Sequence, residues 1–151
     1  MNVIRLTKEF HFEMAHALYG YDGPCKNIHG HSYSLKVTVM GEVPKKRSDP
    51  KEGMLMDFTD LKRIVTKNIT DQLDHALVLN GRSPHKIIAA KEQLFEKIIL
   101  MDFQPTCENL LIHFVSKIKP LLPKGVSLHH LYLRETPSSY AEWFADDNKK
   151  K

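Results

Sequence analysis

In residues 4–16, IRLTKEFHFEMAH, Leu6, Lys8, Phe10, Phe12, Met14 and His16 fall on one side and Arg5, Thr7, Glu9, His11, Glu13 and Ala15 on the other. A period of two over that length predicts a strand with one buried face. Residues 29–39, HGHSYSLKVTV, repeat the pattern, with His29, His31, Tyr33, Leu35, Val37 and Val39 set against Ser32, Ser34, Lys36 and Thr38. Between the two lies a loop, residues 18–26, marked by Gly20, Gly23 and Pro24. His29 and His31, two apart on one strand, share a face, and Gly30 between them permits close approach. Pairing of the consecutive strands brings His16, at the end of the first, towards the other two.

The rest of the chain supplies two helices and two more strands. From Asp57, a cap residue, Phe58, Leu61, Ile64, Val65, Ile69 and Leu73 recur at helical spacing. Pro105 and Thr106 open a second helix with the stripe Leu110, Leu111, Phe114, Val115, Ile118, Leu121 and Leu122, stopped by Pro120, Pro123 and Gly125. Val126 to Arg134 reads as a third strand, and Tyr140 to Phe144 as a fourth, joined to it by a Pro137-Ser138-Ser139 turn. Residues 80–104 carry mixed signals: Ala89 to Leu94 as a short helix and Lys97 to Met101 as a short strand. The order ββααββ predicts an α+β fold, a four-stranded antiparallel sheet with its helices on one face.

A length of 151 residues fits a single domain, 1–151. The composition, 42% hydrophobic and 26% charged, is that of a globular protein, and no apolar run approaches the ~18 residues of a membrane span. No signal-peptide pattern opens the chain, so a cytoplasmic location is expected. The net charge of +4 traces partly to Lys149, Lys150 and Lys151 and to a loop cluster of Lys45, Lys46, Arg47 and Lys51. With no nucleic-acid-binding motif beside it, that charge does not point to DNA or RNA. Cys25 and Cys107 read as free thiols rather than a disulfide.

Nine histidines are the unusual feature. Three imidazoles on one face would leave one tetrahedral position open, as in catalytic zinc sites, whereas a structural site is closed by four ligands that usually include cysteines. An isolated His-x-His is also compatible with hydrogen-bonded strand histidines, and His16 is what tips the pattern towards metal. Cys25, four residues before His29, is either an inert loop thiol or a thiolate activated by a nearby cation. Asp74 and His75 form either an acid/base pair or a helix terminus with a cation near the dipole. Thr106 and Glu108 have a capping reading beside a ligand-contact one. Glu135 shares parity with Leu131 and Leu133, so its carboxylate faces the buried or ligand side and needs a donor-rich partner.

Taken together, FHFEMAH, CKNIHGH, GMLMDFTDLK, LDHALVLN, PTCENL and RETP, in that order, resemble the 6-pyruvoyltetrahydropterin and 6-carboxytetrahydropterin synthase family over nearly the whole chain. The resemblance implies a tunnelling fold, in which the sheets of three subunits close into a barrel and two trimers stack as a homo-hexamer with sites between subunits. It implies Zn2+ on His16, His29 and His31, a catalytic thiol at Cys25, and proton transfer assisted by Asp74 and His75. It further implies a pterin held by Glu135, with Thr106 and Glu108 at the substrate. The three residues between Cys25 and the HGH look like the carboxy branch, which makes queuosine and 7-deazaguanine precursors. The implied reaction takes 7,8-dihydroneopterin triphosphate to 6-carboxy-5,6,7,8-tetrahydropterin, acetaldehyde and triphosphate. A pyruvoyl-forming synthase and a non-catalytic pterin- or metal-binding module are the competing readings. The long segment 81–104 departs from compact members of the family.

Overall fold

The computed structural model describes residues 2–45, 49–90 and 95–149. The two decisive stretches are strands β1 (Val3–His16) and β2 (His29–Glu42), paired antiparallel from Val3 opposite Glu42 to His16 opposite His29. Strand β5 (Val126–Thr136) pairs antiparallel with β2, and β6 (Ser139–Phe144) with β5. These are the four strands expected from the alternation.

The sheet is nevertheless larger than expected. Strand β3 (Ala76–Asn80) runs parallel to the end of β1, and β4 (Ile98–Met101) runs parallel to β3. The sheet is therefore six-stranded and mixed, in the order β4-β3-β1-β2-β5-β6, not four-stranded and antiparallel. The physical reason is burial on both faces: Ala76 and Val78 join the main core, while Leu77 and Leu79 pack in a second cluster with Ala17. Such a strand has no alternation to detect. Residues 86 to 89 form the short helix α3 (Lys86–Ala89), somewhat before the helix read at Ala89 to Leu94, whose Lys91 to Leu94 lie outside the described residues. Lys46 and Arg47 of the basic loop also lie outside them.

Helix α1 (Phe58–Val65) is capped by Asp57, whose carboxylate accepts the Thr59 N–H at 2.7 Å. It continues through a wider π-type turn, Thr66–Thr70, into the short α2 (Asp71–Leu73). Leu61, Val65, Ile69 and Leu73, all buried, are spaced by four, which drifts around a 3.6-residue helix. The wide turn brings the stripe back to the core. Helix α4 (Cys107–Ile118) is capped by the Thr106 hydroxyl, which accepts the Asn109 N–H at 3.2 Å.

Both helical stretches cover the sheet face made by the even residues of β1 and the odd residues of β2, and Phe12 stacks there on Tyr33 at 5.0 Å between ring centroids. The other face of the long strands is a polar ladder. Ser34 donates to Glu9 at 2.7 Å, Ser32 to Glu13 at 2.7 Å, and the Thr7 and Thr38 hydroxyls meet at 2.8 Å. His16, His29 and His31 thus stand at one end of the covered face.

Candidate metal centre and active site

The register that places His16 opposite His29 settles where three imidazoles meet. One nitrogen from each of His16, His29 and His31 lies within 4.8 Å of the others, and His16 Nε2 is 3.1 Å from His29 Nε2. Gly30 lets the strands pass closely here, since a Cβ on it would stand 3.3 Å from the Met14 carbonyl oxygen. His16 Nδ1–H donates to the Pro105 carbonyl at 2.7 Å, and His29 Nδ1–H to the Asn27 carbonyl at 2.8 Å. A carbonyl only accepts, so both protons lie on Nδ1 and both Nε2 lone pairs face each other. Two lone pairs at that distance repel unless a cation stands between them. Backbone carbonyls behind metal-bound imidazoles fix the tautomer in just this way. A tetrahedral ion with bonds of ~2.0–2.1 Å separates its ligands by ~3.3 Å, close to the spacing found. Burial holds the imidazoles of His16 and His31 below the ordinary 6.5, so at neutral pH they are in the neutral, ligating form. The residues present fit a metal ion.

Glu135 belongs to the same cluster. Its carboxylate oxygen Oε1 lies 3.8 Å from His16 Nε2 and accepts a hydrogen bond from the Tyr33 hydroxyl at 2.9 Å. Tyr33 is fully buried, with its ring edge-on to His31 at 5.5 Å. Burial first, and then the Glu135 carboxylate, drive the phenol far above its ordinary value of 10.0, so it acts only as a donor. Thr106 is linked to the cluster through its neighbour Pro105, and its hydroxyl caps α4; Glu108 is exposed in the first turn of that helix.

Cys25 stands half-buried in a one-turn 3-10 helix, Pro24–Lys26, with its carbonyl accepting the Leu18 N–H at 2.9 Å. Cys107 is different: it is buried at the start of α4, its thiol approaches the Leu133 carbonyl at 3.4 Å, and burial followed by the Glu135 charge pushes its pKa up to about 12. Of the two free cysteines, only Cys25 is accessible for chemistry.

Asp74 and His75 come together, and among the described residues no hydrogen bond or ion pair joins them to the three histidines. Asp74 Oδ2 is 3.8 Å from His75 Nε2, while Asp74 Oδ1 accepts the Glu13 N–H at 2.8 Å. His75 has φ of 59°, the left-handed region, and its N–H donates to the Glu13 carbonyl at 2.6 Å. His75 lines, with Glu13, Gly30, His31, Ser32 and Lys97, a cavity of about 880 Å³. Glu13 and Ser32 belong to the sheet face that the helices leave uncovered. Among the described residues, no hydrogen bond joins Asp74 or His75 to Cys25.

Against this geometry, the profile of the family described as 6-pyruvoyl tetrahydropterin synthase matches residues 5–146. The chain belongs to that family. Among family relatives, a 6-carboxy-5,6,7,8-tetrahydropterin synthase of Haemophilus influenzae is 36% identical over 143 residues, spanning 93% of this chain and 99% of the relative. A Rickettsia felis protein of the same name is 30% identical over 142 residues, spanning 93% and 99%. In three dimensions, the 6-pyruvoyl tetrahydropterin synthase of Caenorhabditis elegans superposes with a TM-score of 0.68 at 25% identity, over 96% of this chain and 97% of that one. The architecture is the tunnelling fold of this pterin synthase family, with β3 and β4 as additions to the expected sheet.

Within the family frame, Tyr33 is the residue that sequence reasoning passed over. It read as a core aromatic in the alternation of β2, and only the approach of β5 reveals its hydroxyl beside Glu135. Loss of a hydrogen bond to a charged group costs ~1.5–3 kcal/mol where the acceptor is left without a substitute. Tyr33→Phe is therefore expected to lower the stability of the fold by about 1.5–3 kcal/mol while leaving the metal content unchanged, as read by denaturant unfolding and metal analysis. Equal stabilities of the two proteins would show that the phenol does not support Glu135.

Proposed function

We propose that this protein is a zinc-dependent 6-carboxy-5,6,7,8-tetrahydropterin synthase, a lyase acting on 7,8-dihydroneopterin triphosphate, with residues 1–151 forming one catalytic domain. The observation that carries the reading is the Glu135 carboxylate at 3.8 Å from His16 of the three-histidine cluster. It sets a partner for a heterocyclic edge directly beside a metal site. The 2-amino and N3 edge of a pterin offers two parallel donors, which one carboxylate accepts together as it would a guanidinium. The names of the Haemophilus and Rickettsia relatives support the carboxy product.

His16, His29 and His31 would hold the zinc ion, which would supply Lewis-acid chemistry to polarise side-chain oxygens of the substrate and acidify neighbouring C–H bonds. Cys25 accepts and returns a proton as the side chain rearranges. Asp74 orients His75 for proton exchange. In this chain the pair faces the uncovered side of the sheet, so it serves Cys25 of a neighbouring copy in a homo-oligomer. Thr106 and Glu108, at the start of α4, are the further substrate contacts of this reading. One water is consumed as the carbon–carbon bond is cleaved, and the products are 6-carboxy-5,6,7,8-tetrahydropterin, acetaldehyde and triphosphate, without net redox change and with no redox cofactor. No described helix is long and apolar enough to cross a membrane, and the reading is of a cytoplasmic enzyme.

The test is incubation of zinc-loaded protein with 7,8-dihydroneopterin triphosphate, with products identified by mass spectrometry. 6-Carboxytetrahydropterin together with acetaldehyde is the expected result. 6-Pyruvoyltetrahydropterin would move the protein to the pyruvoyl-forming reaction named for the Caenorhabditis structure. Bound but unconverted pterin would favour a binding module.

A further inference from the structure

Near the end of the segment between β3 and α4, the Gln104 carboxamide grips one residue of the loop between β1 and β2. Its Nε2–H donates to the Tyr19 carbonyl at 2.7 Å, and its Oε1 accepts the Tyr19 backbone N–H at 3.2 Å. One primary amide thus satisfies both backbone groups of a loop residue, as a neighbouring strand would. Gln104 is itself held from behind. Its carbonyl accepts the Thr106 N–H at 2.8 Å and the Asn109 side-chain amide at 3.0 Å, both at the start of α4. The Tyr19 ring also meets His85 of the same segment edge-on at 5.3 Å.

The held loop is the one that carries Cys25. Leu18, next to Tyr19, donates its N–H to the Cys25 carbonyl at 2.9 Å. The path from α4 to the thiol residue therefore runs through Asn109, Gln104, the Leu18–Tyr19 backbone and Cys25. The next residue, Pro105, accepts the proton of His16 Nδ1 at 2.7 Å. Two consecutive residues tie the thiol loop and a metal-cluster histidine to the same helix start. The loop contains Gly20 at φ of +75° and Gly23, so it has conformational freedom that external hydrogen bonds must remove.

We infer that Gln104 is a positioning residue: it fixes the Cys25 loop relative to the three-histidine cluster and so sets the reach of the thiol. The consequence for turnover rests on the reading of Cys25 as the reacting thiol; the clasp on the loop does not. The experiment compares metal-loaded wild type, Gln104→Ala and Gln104→Glu. Gln104→Glu keeps the volume and the acceptor for the Tyr19 N–H but sets a carboxylate oxygen against the Tyr19 carbonyl, so it breaks one of the two contacts without emptying the site. Alkylation of Cys25 by iodoacetamide is followed by peptide mass spectrometry, with the buried Cys107 as an internal reference, alongside kcat, KM and zinc content.

Alkylation of Cys25 is expected to rise about threefold or more as the loop opens locally, further in Gln104→Ala than in Gln104→Glu. Because a misplacement of about 1 Å can cost ~100-fold in rate, kcat is expected to fall about 10- to 100-fold with KM and zinc nearly unchanged. Faster alkylation with unaltered kcat upholds the clasp and removes Cys25 from the reaction. Alkylation at the wild-type rate in both variants overturns the inference, whatever happens to turnover.

Discussion

Cys25→Ala is expected to keep its full complement of metal and lose turnover by ~10²–10⁴-fold, the range for loss of a positioned proton-transfer group. The truncation removes one sulfur from a half-buried loop position, and the Leu18–Cys25 contact that shapes the turn is made by the backbone. The fold and the histidine cluster therefore survive the change. Cys107 provides the opposite case. Its thiol is buried against the Leu133 carbonyl and has its pKa pushed up to about 12, so at neutral pH it is neither nucleophile nor base. Cys107→Ala should lower thermal stability through lost packing while leaving chemistry per folded molecule intact. Measured together, the two variants separate a thiol used in chemistry from one used in packing. Turnover by Cys25→Ala at the wild-type rate would remove the thiol from the mechanism outright.

The fold was legible where one face of an element is wet. In β1 and β2 the alternation of Phe10, Phe12 and Met14 with Glu9, His11 and Glu13 marks the buried side directly, and it carries His16, His29 and His31 onto that side. Strand β3 escaped because Ala76, Leu77, Val78 and Leu79 are all buried, two towards each cluster. An unbroken apolar run has no period. The Tyr33–Glu135 hydrogen bond joins residues 102 positions apart and exists only because β5 lies next to β2. Parity placed Glu135 on the buried side but could not supply its partner. His75 was legible as a neighbour of Asp74, whereas its positive φ and its place on the uncovered face depend on how β3 joins β1. The grip of Gln104 on Tyr19 left no trace in any periodicity, since a side chain that pairs with backbone does not depend on the identity of the residue it holds.

His29→Ala is the second large effect, and it separates a metal site from a cluster of hydrogen-bonded histidines. The wild-type site presents Nε2 of His16 and Nε2 of His29 to the same point, each with its Nδ1 proton committed to a backbone carbonyl. Without His29 only two ligands remain, and metal affinity should fall beyond the ~10–100-fold seen when merely a supporting contact is lost. His29 is the informative choice because it is partly exposed, whereas His16 is 2% exposed and its removal would also open a core cavity. A ligand bound at ~1,000 times its Kd stabilises the folded state by ~4 kcal/mol, so chelation should lower the Tm of wild type markedly and leave His29→Ala unmoved. Acidity should act on the same site. With His16 and His31 held below 6.5 by burial, wild type should keep its metal at pH 7 and release it only as the pH falls below that value. In metal-free protein the sign is the same: burying neutral imidazoles stabilises the fold above pH 6.5, and that contribution is lost as the pH drops through their lowered folded-state values. If His29→Ala instead retained stoichiometric metal and a chelator-sensitive Tm, the three histidines would be a hydrogen-bonded strand end and the metal would lie elsewhere.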